Sequence, residues 1–170
     1  RYLKIKIDNE DLELDAARIR AVRSAVGPGI HLTLDANQSY SPKEAVALFR
    51  KVESVGIDLF EQPVHAMDWD GLKYVTKSVG CLVEADESAY SIRDVYRLIQ
   101  ERAVDSISMK ILKLGGIDAM REVASLCKTA HIRCRVGANV GSRLLNAAAM
   151  HVAAAIPNID YACEVGEFER

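Results

Sequence analysis

Lysine and carboxylate side chains punctuate this chain in an order suited to proton chemistry at a carbon acid. The segment Leu3-Lys4-Ile5-Lys6-Ile7 carries two lysines one residue apart. Asp35, Glu61 and Asp86 each close a short apolar run, and Lys110 closes another. The order is lysine, three carboxylates, lysine. Three carboxylates brought together repel one another, and a hard divalent cation with oxygen ligands neutralises them while keeping positions open for substrate. Magnesium is the expected ion, with manganese as the alternative, and Asp35, Glu61 and Asp86 are its expected ligands.

Such an ion binds a substrate carboxylate and stabilises the enediolate formed when the adjacent carbon loses its proton. The lysines are then proton carriers. A lysine takes up a proton at neutral pH only when desolvation and nearby positive charge bring its pKa well below the ordinary value of about 10.4. Lys6 and Lys110 flank the carboxylate row from opposite sides. One can remove a proton from one face of a planar intermediate while the other returns it to the opposite face, as a racemase or epimerase requires.

The elements that must position these groups are legible in the apolar pattern. Runs rich in Val, Ile and Leu recur at Leu3 to Ile7, Leu32 to Asp35, Ile57 to Glu61, Leu82 to Asp86, Ser106 to Lys110, Ile132 to Val136 and Ile159 to Glu164. Between them lie stretches with helical spacing, such as Ala16, Ile19, Val22 and Val26, or Met120, Val123, Ala124 and Cys127. Ser41-Pro42 and Ser91 mark helix starts, and Gly29, Gly56 and Gly80 mark reversals. Alternating strand and helix implies an α/β fold with a parallel sheet, and the even repeat suggests a (β/α) barrel of the TIM type. Because a closed barrel has eight strands and seven are legible, residues 1–170 read as one partial catalytic barrel domain that begins after the first strand.

Strand parity sharpens the assignment. If Leu3, Ile5 and Ile7 face the helices, Lys4 and Lys6 face the axis, and the same alternation turns Thr33, Asp35 and Asn37, then Glu61, then Glu84 and Asp86, then Ser106, Ser108 and Lys110 inward. Glu84, a layer below Asp86, is expected to form an ion pair, for instance with Lys4.

In order and spacing, Lys4-Ile5-Lys6, Asp35-Ala36-Asn37, Glu61-Gln62-Pro63, Ala85-Asp86-Glu87-Ser88 and Lys110 followed by Gly115-Gly116 resemble the muconate lactonizing enzyme subgroup of the mandelate racemase/muconate lactonizing enzyme family, within the enolase superfamily. The resemblance implies that Asp35, Glu61 and Asp86 hold magnesium, that Lys6 and Lys110 are the acid/base pair, and that Asn37 supports the metal shell. It also implies an absent N-terminal α+β capping domain and first strand. The subgroup's reactions include epimerisation or racemisation of amino-acid derivatives, muconate-type cycloisomerisation and acid dehydration. At the eighth strand this chain has Cys163-Glu164-Val165-Gly166-Glu167 in place of an aspartate pair. Glu164 is placed to meet a cationic substrate nitrogen.

The remaining features narrow the class. A net charge of -2 with scattered basic residues gives no pull toward nucleic acid or an anionic membrane, and 49% hydrophobic residues supply a core. A small-molecule carboxylate is the expected partner, and a homo-oligomer the expected assembly. Four cysteines at wide spacing fit reduced, buried thiols of a cytoplasmic protein. No stretch has the apolar length of a membrane span, and the start lacks a signal-peptide core. His31, His65, His131 and His151 lack metal-ligand spacing, Lys113 lies past its strand, and Trp69 is expected to pack a helix start. A Schiff-base aldolase would use a barrel lysine but not three carboxylates. A barrel that has lost its activity is the non-enzymatic alternative.

Overall fold

The computed structural model describes residues 1–8, 11–137, 141–159 and 161–164. The chain divides into two compact units, Arg1–Ser88 and Ala89–Arg170.

In the first unit the strands β1 (Tyr2–Lys6), β2 (His31–Asp35), β3 (Ile57–Glu61) and β4 (Leu82–Ala85) form a parallel sheet in sequence order. The crossovers that parallel pairing demands are α1 (Leu12–Val26), α2 (Pro42–Val52) and α3 (Trp69–Ser78), with a 3-10 turn at Glu53–Val55. Each helix start has a side-chain cap that satisfies otherwise orphaned N–H groups. Asp11 accepts from Glu13 and Leu14, Ser41 forms a capping box with Glu44 behind Pro42, and Asp68 accepts from Gly71. The helical spacing translates into burial: Ala16, Ile19, Ala45, Leu48 and Val52 are all shielded against the sheet. Trp69 is buried at the start of α3, in the packing role expected of it.

One irregularity matters for the site. Leu32 pairs with Ile57 but Thr33 pairs with Leu59, so Asp58 is an extra residue in β3. A slip of one residue turns every later side chain to the other face. Because of this bulge Asp35 lies opposite Glu61; an unbroken register from Leu32 and Ile57 would have set it opposite Phe60. Asp58 supplies the hydrogen bonds at its own bulge, accepting from the Leu32 N–H at 2.9 Å and meeting His31 Nδ1 at 3.0 Å.

The second unit contains α4 (Ile92–Glu101), β5 (Ser106–Met109), α5 (Ile111–Leu114), α6 (Ile117–Ala130), β6 (Arg133–Val136) and α7 (Arg143–Ala155). Strands β5 and β6 pair in parallel, Ser106 with Arg133 through Met109 with Val136. Met120, Val123, Ala124 and Cys127 of α6 are buried as their spacing predicts. The seventh apolar run appears among the described residues as a single parallel bridge, Cys134 to Ile159, and as a hydrogen bond from the Glu164 N–H to the Val136 carbonyl. Asp160, inside that run, lies outside the described residues, as do Ala138 to Val140 and Val165 to Arg170. No cysteine is in a disulfide, and Cys81, Cys127 and Cys134 are buried. Among the described residues, no helix is long and apolar enough to cross a membrane.

Candidate active site

The C-terminal ends of β1 to β4 carry the groups singled out in the first half of the chain, and Lys4, Lys6, Asp35, Asn37 and Glu61 meet there through ion pairs and hydrogen bonds. Asp35, Glu61 and Asp86 are 2%, 1% and 1% exposed, so their charges are held away from bulk water. Lys4 Nζ lies 3.2 Å from Asp35 Oδ2 and 2.5 Å from Glu61 Oε2. Lys6 Nζ lies 2.5 Å from the same Asp35 oxygen and donates to Asn37 Oδ1 at 2.6 Å. One carboxylate thus binds two ammonium groups, while its Oδ1 accepts from the Asn37 N–H at 3.1 Å. Burial works to raise the Asp35 pKa, but the Lys4 charge and the Lys6 hydrogen bond outweigh it and hold the carboxyl below its ordinary value.

Asn37 can do this because of its backbone. Its φ is 41° and that of Gln38 is 73°, the left-handed region that Asn tolerates better than most residues. The tight reversal keeps residues 36 to 40 beside β3, with the Gln38 N–H donating to the Gln62 carbonyl and the Tyr40 N–H to the Pro63 carbonyl.

Asp86 is fixed by a residue to which sequence reasoning gave no role. Gln62 is wholly buried with φ 34°. Its Oε1 accepts from the N–H groups of Asp86 at 2.9 Å and Ser88 at 3.0 Å, and its Nε2 donates to the Val64 carbonyl and Ser88 Oγ. This one amide ties the loop after β4 to the loop after β3. Its signal in the sequence was a large polar residue directly behind a strand-end carboxylate. Glu84 is buried one layer below Asp86.

In the second unit Lys110 stands between the end of β5 and the start of α5, with extended backbone. Its neighbour across the strand pair is Gly137, where a Cβ would fall 2.4 Å from Ser108 Oγ and 3.0 Å from Lys110 Cε. Only a glycine leaves the lysine stem its present path. Lys113, expected past the strand end, donates to the Ser108 carbonyl at 3.1 Å. Glu164 meets a cation from within the chain, since Arg135 Nη1 lies 3.4 Å from its Oε1 and Arg135 is almost fully buried.

Among the described residues, no group of three or more His, Cys, Asp and Glu side chains is gathered so as to hold a metal ion. Instead, Lys4 and Lys6 occupy the oxygens of Asp35 and Glu61. The donor chemistry nevertheless suits a hard divalent cation. Three buried carboxylates end three adjacent strands, with Glu84 buried beside them, and these acids outnumber the two ammonium groups that reach in.

A sequence model of a family described as enolase C-terminal domain-like matches residues 1–170. The chain belongs to that family. Its fold is the parallel α/β barrel, of which this chain supplies a part. The L-Ala-D/L-Glu epimerase of Bacillus subtilis is 41% identical over 159 residues, covering 92% of this chain and 43% of the epimerase. A chloromuconate cycloisomerase of Cupriavidus necator is 33% identical over 162 residues, 95% of this chain and 44% of its own length. The solved structure of a dipeptide epimerase from Enterococcus faecalis, in complex with Mg and the dipeptide L-Leu-L-Tyr, superposes with a TM-score of 0.92 at 40% identity, over 96% of this chain and 46% of that one. The chain spans less than half the length of the relatives it matches.

Proposed function

We propose that this chain is part of a magnesium-dependent enzyme that removes the α-proton of a carboxylate substrate and returns a proton to the opposite face, epimerising an amino-acid derivative of the dipeptide class. The observation that carries the reading is the doubly bound Asp35, with Lys6 directly on its carboxylate and Glu61 and Asp86 at the next two strand ends. The L-Ala-D/L-Glu epimerase at 41% identity and the dipeptide epimerase at 40% favour this reaction over the cycloisomerase at 33%.

Asp35, Glu61 and Asp86 would hold the ion, which when bound supplies a Lewis acid that stabilises negative charge developing on the substrate carboxylate. Lys6 is assigned as one proton carrier, held by Asp35 and Asn37, and Lys110 as the second from its place at the end of β5. Lys4, bridging Asp35 and Glu61, keeps the two carboxylates together and is itself more shielded than Lys6. A homo-oligomer in the cytoplasm remains the expected setting.

The test is solvent deuterium exchange into a panel of dipeptides, N-acylamino acids and other carboxylic acids by the full-length protein, with and without a chelator. Exchange at the α-carbon of one acid class, abolished by chelation and restored by magnesium, is the expected result. Turnover that survives complete chelation would sink the proposal.

A further inference from the structure

The hydrogen bonds that hold Lys6 continue past Asn37 to Glu87, a residue to which none of the roles above is given. Gln62 Oε1 accepts from the N–H groups on both sides of Glu87, those of Asp86 and Ser88, so residue 87 is held between two pinned amides. Glu87 Oε1 in turn accepts from Asn37 Nδ2 at 3.1 Å, and Asn37 Oδ1 accepts from Lys6 Nζ at 2.6 Å. The Asn37 amide has one electrostatically acceptable orientation. Reversed, it would set its NH2 against an ammonium and its carbonyl oxygen against a carboxylate.

We infer that Glu87 is a positioning residue for Lys6, acting through the Asn37 amide and presented by Gln62. The inference rests on Lys6 being a proton carrier, as proposed above. Two observations call for such a device. The Lys6 side chain is 63% exposed, so packing does little to fix its long flexible stem, and hydrogen bonds must place the nitrogen. The second oxygen of Glu87, Oε2, is buried with no hydrogen-bond partner among the described residues, a cost that a carboxylate at this position bears without forming an ion pair there. Asp35 holds Lys6 from one side and Asn37 from another, and Glu87 decides which end of Asn37 faces the lysine.

The experiment compares Glu87→Ala with Glu87→Gln in the full-length protein. Glutamine keeps an acceptor for Asn37 Nδ2, whereas alanine frees the amide to turn. Two readouts are taken: the lysine side-chain nitrogen NMR signal of Lys6, identified through Lys6→Arg, and deuterium exchange into each epimer of an acid that the wild type exchanges. Glu87→Ala is expected to displace the Lys6 signal and to slow exchange roughly tenfold for the epimer served by Lys6 while sparing the other. Glu87→Gln is expected to restore both. If Glu87→Ala does not fold, Asn37→Ala removes the middle link and must give the same displaced signal and one-sided loss. An unmoved Lys6 signal, or equal loss on both epimers, overturns the inference. A wild-type protein that exchanges no acid overturns the proposed function instead, and the Lys6 signal then decides the role of Glu87 by itself.

Discussion

The two lysines assigned to proton transfer are held by opposite means. Around Lys6 the scaffold is polar: Asp35, Asn37 and Glu87 form a hydrogen-bonded line, and Gln62 ties its loops together. Around Lys110 the described constraint is steric: Gly137 leaves just enough room for the lysine stem and for the Ser108 hydroxyl beside it. A polar scaffold fixes a nitrogen by direction, and a steric one fixes it by exclusion. Substitutions in the first unit should therefore act by loss of partners, and those in the second by intrusion of atoms.

The largest effect should come from the lysines themselves. General acid or base catalysis by one group contributes about 10²- to 10⁴-fold, so Lys6→Ala and Lys110→Ala should each lower exchange by that order. Measured on the two epimers separately, the two losses should fall on opposite epimers. Losses that fall identically on both epimers in both variants would remove the basis for treating the two regions as counterparts.

Next comes Gln62→Leu, which leaves the N–H groups of Asp86 and Ser88 and the Val64 carbonyl without their partner. Buried polar groups left unsatisfied cost about 1–3 kcal/mol each, so with three of them a loss of at least about 3 kcal/mol is expected in denaturant unfolding. Calorimetric titration should also show weaker magnesium binding, because the Asp86 backbone is no longer fixed. Full stability in Gln62→Leu would contradict a polar scaffold.

How far the sequence disclosed this arrangement differs between backbone and side-chain geometry. Strand ends, helix caps and inward parity follow from short-range rules, and Lys4, Lys6, Asp35 and Glu61 converge as the alternation of side chains predicts. The bulge at Asp58 was not legible, although Asp35 faces Glu61 only because of it. A bulge depends on how two distant strands align, and one strand's pattern does not reveal that. Gln62 and Gly137 escaped for a related reason. Their roles lie in what surrounds them, namely two loop amides in one case and a lysine stem in the other. The sequence points Glu164 toward a substrate cation, whereas the cation it meets in the structure is Arg135, a pairing that depends on where β6 lies.

Gly137→Ala tests the steric side of the comparison. The added methyl must displace Ser108 Oγ, which can rotate, and crowd Lys110 Cε. A small displacement of a reacting group is expensive for rate, so exchange should fall roughly tenfold on the epimer served by Lys110. Stability should fall by about 1 kcal/mol, the low end for overpacking, since the nearest atom belongs to a short side chain. If stability collapses while the surviving fraction exchanges normally, Gly137 serves the fold and not the lysine.

The smallest effect should come from Asp58→Ala, which asks how deep the polar scaffold of the first unit extends. Asp58 caps the Leu32 N–H and meets His31, but it lies at the far end of the strands from the carboxylates. If the bulge were made by these hydrogen bonds, losing them would let β3 slip, set Asp35 against Phe60 and abolish exchange. The core argues otherwise. Leu32, Leu34, Leu59 and Phe60 are all fully or almost fully buried, and a one-residue slip would turn the whole set of β3 side chains to the wrong face. Packing therefore holds the register and Asp58 only satisfies the amide the bulge leaves open. Asp58→Ala should cost about 1 kcal/mol in unfolding, the usual worth of a hydrogen bond, with exchange into both epimers unchanged.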